Sequence, residues 1–216
     1  MEIVILILAF AMTITVHEVA HAWMANRLGD PTAKLMGRLS LNPFVHYDPV
    51  GTTLLLVTAF LTVKGFLPFP FGWAKPVQFD PYNLKNPQRD SAIISFAGPG
   101  ANLILAALLS IILRLSFLPF SPVSYLSALI FPFILLNISL AIFNLIPIHP
   151  LDGGKILIGL LPPQKAREVD IFLNRFGVLL LFFLIFPVFG GGPILNRIIF
   201  PIINFLFRLL TGNQVI

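Results

Sequence analysis

The chain has 216 residues, of which 57% are hydrophobic and 11% are charged, with a formal net charge of +5 at pH 7. This composition excludes an ordinary soluble domain and predicts a membrane-embedded protein with one domain over residues 1–216. The basic residues are scattered between apolar segments, so no nucleic-acid partner is expected. No cysteine is present in the sequence, which excludes disulfides and thiolate metal sites.

The first apolar segment runs from Ile3 to Met24 and contains His17, Glu18 and His21. Its length predicts a transmembrane helix. Residues four apart lie one turn above each other on a helix, so the two histidines face the same way with the glutamate beside them. This His-Glu-x-x-His spacing is typical of two zinc ligands and a general base. Ionisable groups at membrane depth usually face a partner or a water-filled cavity.

Two simpler interpretations of this segment are less favoured. The histidines could serve only helix packing, but packing requires neither the glutamate nor this spacing. Residues 1–22 could be a signal peptide, since Ala20-His21-Ala22 resembles a cleavage site. The amino end, however, carries Glu2 and no basic residue, which is atypical of a signal peptide.

A catalytic zinc ion bound by two histidines needs a third protein ligand. The sequence favours Asp152, because Pro147 and Pro150 end a long apolar helix there, on the side and at the depth of His21. Glycines at positions 153 and 154 allow close backbone approach. The other candidate ligands are His46, Asp48, Asp80 and His149.

Further apolar segments predict an all-α polytopic membrane protein with about five transmembrane helices. After the first helix they lie at about 92–118, 125–146, 176–189 and 194–210. A short apolar run at 51–63 leads into a proline-rich stretch, so residues 51–72 are interpreted as a re-entrant segment. We expect a core in residues 1–155 and accessory helices in residues 170–211.

The distribution of Lys and Arg agrees with a re-entrant segment. If residues 51–72 do not cross the membrane, only Arg114 and Arg197 lie opposite the other basic residues. The positive-inside rule then predicts a multi-pass protein of the cell membrane with its amino terminus outside. The end of the first helix that carries the His-Glu-x-x-His motif would face the cytoplasm.

Residues 73–79 follow this segment and predict a short β element at a sheet edge, because proline cannot donate a ladder hydrogen bond. Such an edge could bind an extended peptide, whereas an interfacial loop is an equally good interpretation. The residues that would contact a substrate there are Trp73, Ala74, Lys75, Pro76 and Val77.

Two amide side chains lie near the membrane segments. Asn102 is interpreted mainly as a structural link between helices, with donation to a substrate oxyanion as the alternative. Asn144, just before the break at Pro147, could equally well contact a substrate carbonyl or a neighbouring helix.

Together these motifs resemble the site-2 protease family of intramembrane zinc metalloproteases. Leu41-Asn42-Pro43 and residues 73–77 are similar to a compact prokaryotic branch, without PDZ or CBS domains. The resemblance implies one Zn²⁺ ion per chain, held by His17, His21 and Asp152, with Glu18 as the base and Asn144 assisting the substrate. The motifs that carry it are His17-Glu18-Val19-Ala20-His21, Gly98-Pro99-Gly100-Ala101-Asn102 and the segment from Asn144 to Gly153.

The resemblance implies hydrolysis of peptide bonds in membrane-spanning protein substrates within the lipid bilayer, that is, regulated intramembrane proteolysis. A divalent-metal membrane transporter is the alternative, but it would need ligands along a path through the membrane, and here they gather near one face. A catalytically silent scaffold would leave the three motifs without a role. The sequence predicts no particular oligomeric state.

Overall fold

The computed structural model describes residues 2–64, 72–73, 75–117, 126–186 and 194–212, which are mainly helical. Short 3-10 turns occupy Pro43–His46 and Pro81–Asn83. The helices are α1 (Glu2–Leu28), α2 (Thr32–Leu35), α3 (Pro49–Val63), α4 (Pro87–Ser116), α5 (Ser127–Asn144), α6 (Asp152–Leu160), α7 (Pro163–Ile185) and α8 (Ile194–Thr211).

Helix α4 is central and packs against α1, α5, α6 and α8. At Gly98 it lies so near α1 that an added Cβ atom would collide with the rings of His21 and His17. Only glycine leaves room for two imidazoles at this helix crossing. Gly98 of α4 therefore sets how closely the two helices can pack around the histidines.

The main apolar core lies between α4, α5 and α8. Leu113 of α4 and Ile134 and Ile138 of α5 are almost fully buried in it. The outer faces of α1, α4, α7 and α8 instead expose many large apolar side chains, including Ile104, Val178 and Phe205. Such surfaces are unfavourable in water and typical of helices that face lipid. Within the described ranges, Val4–Leu28 and Pro87–Ser116 are long and apolar enough to cross a membrane.

The predicted helical segments are present, but their ends differ from expectation. Helix α7 begins at Pro163, well before the predicted segment at 176, because its first turns are polar and carry no continuous apolar signal. The short helix α6 was not anticipated. Across the described ranges no β-strand is assigned, so the predicted β element is not confirmed. Residues 75–79 carry no assigned secondary structure.

The segment predicted to be re-entrant begins as helix α3. Gly51, in the first turn of α3, lies directly against Trp73, and an added Cβ atom would collide with the Trp73 carbonyl oxygen and indole ring. The chain has therefore returned by residue 73 to the end of α3 from which it started. Residues 65–71 and Ala74 lie outside the described residues.

The loop after α1 is organised by the carboxylate of Asp30, whose exposed fraction is 0%. Its Oδ1 accepts hydrogen bonds from the Thr32 hydroxyl at 2.6 Å and the Asn83 amide at 2.8 Å, and its Oδ2 accepts one from the Asp80 N–H at 2.8 Å. Burial by itself raises the pKa of Asp30, but these hydrogen bonds outweigh it and lower the pKa below the usual range. Asp30 thereby ties the chain that follows residues 75–79 to the end of α1.

We predict that Asp30→Asn destabilises the protein by about 1–3 kcal/mol, because a buried anionic acceptor is replaced by a group that brings donors of its own. The folded-state pKa lies below the unfolded value of about 3.9, so this stabilisation is present above that pH. It is lost as the pH falls through the folded-state pKa. Thermal unfolding of both proteins in detergent, from about pH 7 down to about pH 2.5, measures the difference.

The matched control for Asp30→Asn is Glu168→Gln, which neutralises an exposed acid on α7. It should leave the unfolding temperature almost unchanged across the same pH range. Equal stability of Asp30→Asn and wild type at neutral pH would contradict the role assigned to Asp30. A stability difference that does not shrink in acid would contradict its pH dependence.

Candidate metal centre

Three potential metal ligands from distant parts of the sequence converge beside α4. His17 and His21 lie one turn apart on α1, and Asp152 is the first residue of α6. The Nε2 atoms of both imidazoles lie 3.2 Å from Oδ2 of Asp152. The ligand atoms of the three residues all lie within 4.8 Å of one another. Both histidines are buried and the aspartate is partly buried.

The hydrogen bonds of the two imidazoles fix which ring nitrogen is free. Nδ1 of His17 lies 2.9 Å from Oδ1 of Asn102, and Nδ1 of His21 lies 2.7 Å from the carbonyl oxygen of Ile94. Because these oxygens only accept, each Nδ1 donates its proton and each Nε2 keeps a lone pair. This is the arrangement that metal-binding histidines commonly have, so the residues present fit a divalent metal ion.

A buried network of amides fixes the orientation of Asn102. Its Nδ2 donates to the Thr13 carbonyl at 3.1 Å and to Oδ1 of Asn137 at 2.8 Å, so its Oδ1 must face His17. Nδ2 of Asn137 in turn donates to the Thr13 hydroxyl at 2.9 Å and to the carbonyl of Phe133 at 2.8 Å. Both asparagines are 0% exposed. Asn102 is therefore a structural link, as expected, but one that also orients a candidate ligand.

Sequence reasoning missed Asn137 and Thr13 as parts of this site. Both lie in otherwise apolar helices, where an isolated polar side chain is costly unless it is satisfied. A polar residue within an apolar helix was therefore the one sequence signal for a buried hydrogen bond. That signal does not indicate which partner the side chain contacts.

The turn before α6 delivers Asp152 to the histidines. An added Cβ atom on Gly153 would collide with the carbonyl group of Ile146, and one on Gly154 would meet the ring of His149. The chain therefore folds back tightly on itself between residues 146 and 154. The two glycines permit this approach, as their position after the prolines had suggested.

The carboxylate of Glu18 contacts the segment of residues 75–79. Its Oε2 accepts a hydrogen bond from the backbone N–H of Val77 at 2.9 Å. Lys75 N–H donates to the carbonyl oxygen of His46 at 3.0 Å. This second hydrogen bond holds the same segment two residues before Val77. Residues 75–77 thus run beside Glu18, and Trp73 lies against the start of α3.

The other candidate ligands have different partners. His46 lies 2.9 Å from the Ser40 carbonyl oxygen through Nε2, and Asp48 accepts a hydrogen bond from Gly51 N–H at 2.7 Å at the start of α3. Asp80 accepts one from Tyr82 N–H, and His149 lies 3.3 Å from Asp170. Within the part of the chain that the structure describes, the only cluster of three or more such side chains that could hold a metal ion is that of His17, His21 and Asp152.

Asn144 lies at the carboxyl end of α5 and is not part of this cluster. Its Nδ2 donates to the carbonyl oxygen of Leu140, one turn earlier in the same helix, at 3.0 Å. The side chain is partly buried. The contact of Asn144 with a substrate carbonyl stays a prediction.

Comparison with known proteins agrees with this geometry. The chain is 35% identical over 206 residues to YwhC of Bacillus subtilis, covering 92% of this chain and 85% of that protein. It is 30% identical over 207 residues to Rip2 of Mycolicibacterium smegmatis, covering 94% and 73%. The names of both relatives assign them provisionally as zinc metalloproteases. Stage IV sporulation protein FB of Bacillus subtilis is 28% identical over 165 residues, covering 74% of this chain and 54% of its own length.

No solved structure matches the chain significantly. A family model described as Peptidase family M50 matches residues 5–127 and 120–184, which include every residue of the candidate metal centre. The resemblance inferred from the motifs is thereby confirmed, and the chain belongs to Peptidase family M50.

Proposed function

We propose that this protein is an intramembrane zinc metalloprotease in which His17, His21 and Asp152 bind one metal ion and Glu18 is the general base. The observation that supports these roles is the convergence of two imidazoles and a carboxylate at one place. The glutamate directly follows the first of the two histidines in the sequence. Membership of a peptidase family and the names of YwhC and Rip2 support zinc-dependent hydrolysis of peptide bonds.

The donor set suits zinc, which commonly takes three protein ligands and keeps a further position open at catalytic sites. When bound there, the ion would polarise the scissile carbonyl and lower the pKa of a water molecule. The hydrogen bonds of Nδ1 on His17 and His21 keep the Nε2 lone pairs directed towards Asp152. The protein itself supplies the orientation of these three ligands.

Glu18 provides the proton transfers in this proposal. It accepts the proton of the attacking water and returns it to the leaving amine. The N–H of Val77 holds one carboxylate oxygen of Glu18 in a defined position. Asn144 would release its bond to Leu140 and donate to the substrate carbonyl, where charge develops during attack.

The bilayer is the environment that we propose for this chemistry. The apolar outer faces of α1, α4, α7 and α8 support a multi-pass arrangement with about five spans. The return of the chain from α3 to Trp73 supports a re-entrant segment at residues 51–72. With that segment re-entrant, the distribution of basic residues favours an amino terminus outside the cell and a site towards the cytoplasm.

A membrane-spanning protein is the proposed substrate. A substrate helix hides its peptide groups in internal hydrogen bonds, so it must unwind locally before attack. Val77 contacts Glu18, and residues 73–79 would hold the unwound segment as an added strand. Family membership gives no support to the alternative of a divalent-metal transporter.

We predict that Glu18→Gln lowers the cleavage rate at least about 100-fold, because the amide cannot take up a proton. Cleavage of a fluorogenic transmembrane peptide by the purified protein in detergent measures this effect, with Glu168→Gln as the matched control. Bound zinc should be unchanged in Glu18→Gln. Cleavage at the wild-type rate would overturn the assignment of Glu18.

Asp152→Ala should weaken zinc binding at least about tenfold, because a charged ligand is lost from the site. Metal analysis combined with chelator competition measures bound zinc per chain and its affinity. Asp80→Ala is the control, since that candidate carboxylate lies outside the cluster. Equal affinities of wild type and Asp152→Ala would exclude Asp152 as a ligand.

Asn102→Ala should lower zinc affinity by about 10–100-fold, because His17 loses the acceptor that orients its ring. Chelator competition provides the measurement, and thermal unfolding of the metal-free protein shows whether the fold is retained. Asn174→Ala on the exposed side of α7 is the matched control. A folded Asn102→Ala protein with wild-type zinc affinity would contradict this positioning role.

A further inference from the structure

A groove of about 860 Å³ opens between residues 76–79 and helices α6 and α7. One wall consists of Pro76, Val77, Gln78 and Phe79, and the remaining lining comes from the start of α4, from α6 and from the first half of α7. The groove is large enough for several residues of an extended peptide.

The groove lies next to the candidate metal centre. Val77 lines it and donates its N–H to Glu18 at 2.9 Å. Lys155 also lines it, on α6, one turn after Asp152. A peptide with its scissile bond beside Glu18 would therefore reach this groove within a few residues.

The wall formed by residues 76–79 offers backbone groups to such a peptide. Among residues with a described structure, the N–H of Gln78 has no hydrogen-bond partner. An extended peptide can bond to an edge of this kind irrespective of its sequence.

The charged side chains of the groove are the source of sequence preference. The groove has two cations, Lys155 and Arg167, and one carboxylate, Asp170. Asp170 is already engaged, since its Oδ1 accepts a hydrogen bond from Asn174 at 2.9 Å and lies 3.3 Å from Nε2 of His149.

Neither of the two cations, in contrast, has an oppositely charged partner among the described residues. Nζ of Lys155 lies 4.7 Å from the ring centre of Phe79, on the opposite wall. In the described part of the chain, neither Lys155 nor Arg167 forms an ion pair with a carboxylate, and both are exposed. The groove therefore presents two unpaired positive charges to whatever enters it.

We propose that this groove binds the extended segment of the substrate next to the cleaved bond and that Lys155 and Arg167 select an acidic side chain in that segment. The substrate class is thus a membrane-spanning protein with Asp or Glu a few residues from the scissile bond, on the side that leaves along residues 76–79. This inference rests on the proposed protease function. Charge complementarity of this kind contributes to specificity more than to affinity.

The test uses the full-length protein in detergent and synthetic peptides with one Leu/Ala transmembrane helix, a Gly-Pro break and an extended Ser/Gly segment. One position of that segment is varied as Glu, Gln or Lys, and the position is moved along the segment in separate peptides. Cleavage by the wild type gives kcat/KM, and fluorescence anisotropy with Glu18→Gln gives Kd without cleavage.

The Glu peptide should be preferred over the Gln peptide about fivefold at its best position, as expected for partly exposed ion pairs. The preference should weaken as salt rises from about 50 mM to about 500 mM, because salt screens exposed charges. It should disappear in the double variant Lys155→Gln with Arg167→Gln, and reverse towards the Lys peptide in Lys155→Glu with Arg167→Glu. Lys165→Gln, an exposed lysine outside the groove lining, should keep the preference.

The outcomes separate this inference from the proposed function. Cleavage of all peptides that depends on Glu18, without preference for Glu at any position, would overturn the substrate preference and leave the protease standing. Absence of Glu18-dependent cleavage would contradict the proposed function. In that case the Kd values still decide the inference, since equal binding of Glu and Gln peptides by Glu18→Gln would refute it. A preference that survives the charge reversal would refute the roles of Lys155 and Arg167.

Discussion

Polar side chains buried among apolar helices are the constraint on which this structure depends. Each of them carries a free-energy cost that only a hydrogen bond or ion pair can offset. His17 and His21 each meet that cost with one ring nitrogen bonded to α4 and the other close to Asp152. The contact between α1 and α4, where Gly98 lies against both histidines, therefore depends on these polar interactions as well as on apolar packing.

The sequence predicted the residues of the site better than the contacts that support them. The spacing of His17 and His21 and the breaker residues around Asp152 are local signals, and the structure brings the three side chains together as expected. The role of Asn137 depends on helices that meet far from one another in sequence, so no local pattern could reveal it. For the same reason no local pattern separates Asp152 from the other candidate ligands, because the hydrogen-bond partners of those ligands depend on the fold.

The helices, too, were predicted where the sequence carries a local signal and missed where it does not. Long apolar runs predicted α1, α4, α5 and α8, because burial in an apolar environment depends on composition alone. The polar first turns of α7 and the short helix α6 lack that signal, and their extent is set by neighbouring segments. The predicted β element depended on a pairing partner for residues 75–79, which a single sequence does not provide.

The hydrogen bond from Val77 to Glu18 makes the two oxygens of that carboxylate unequal. Oε2 already accepts from a backbone that is itself held in place through His46 before it and Asp30 after it. In the proposed mechanism Oε1 is therefore the oxygen with more freedom to take up the proton of the attacking water. The backbone of Val77 thus distinguishes two carboxylate oxygens that are chemically identical in the free side chain.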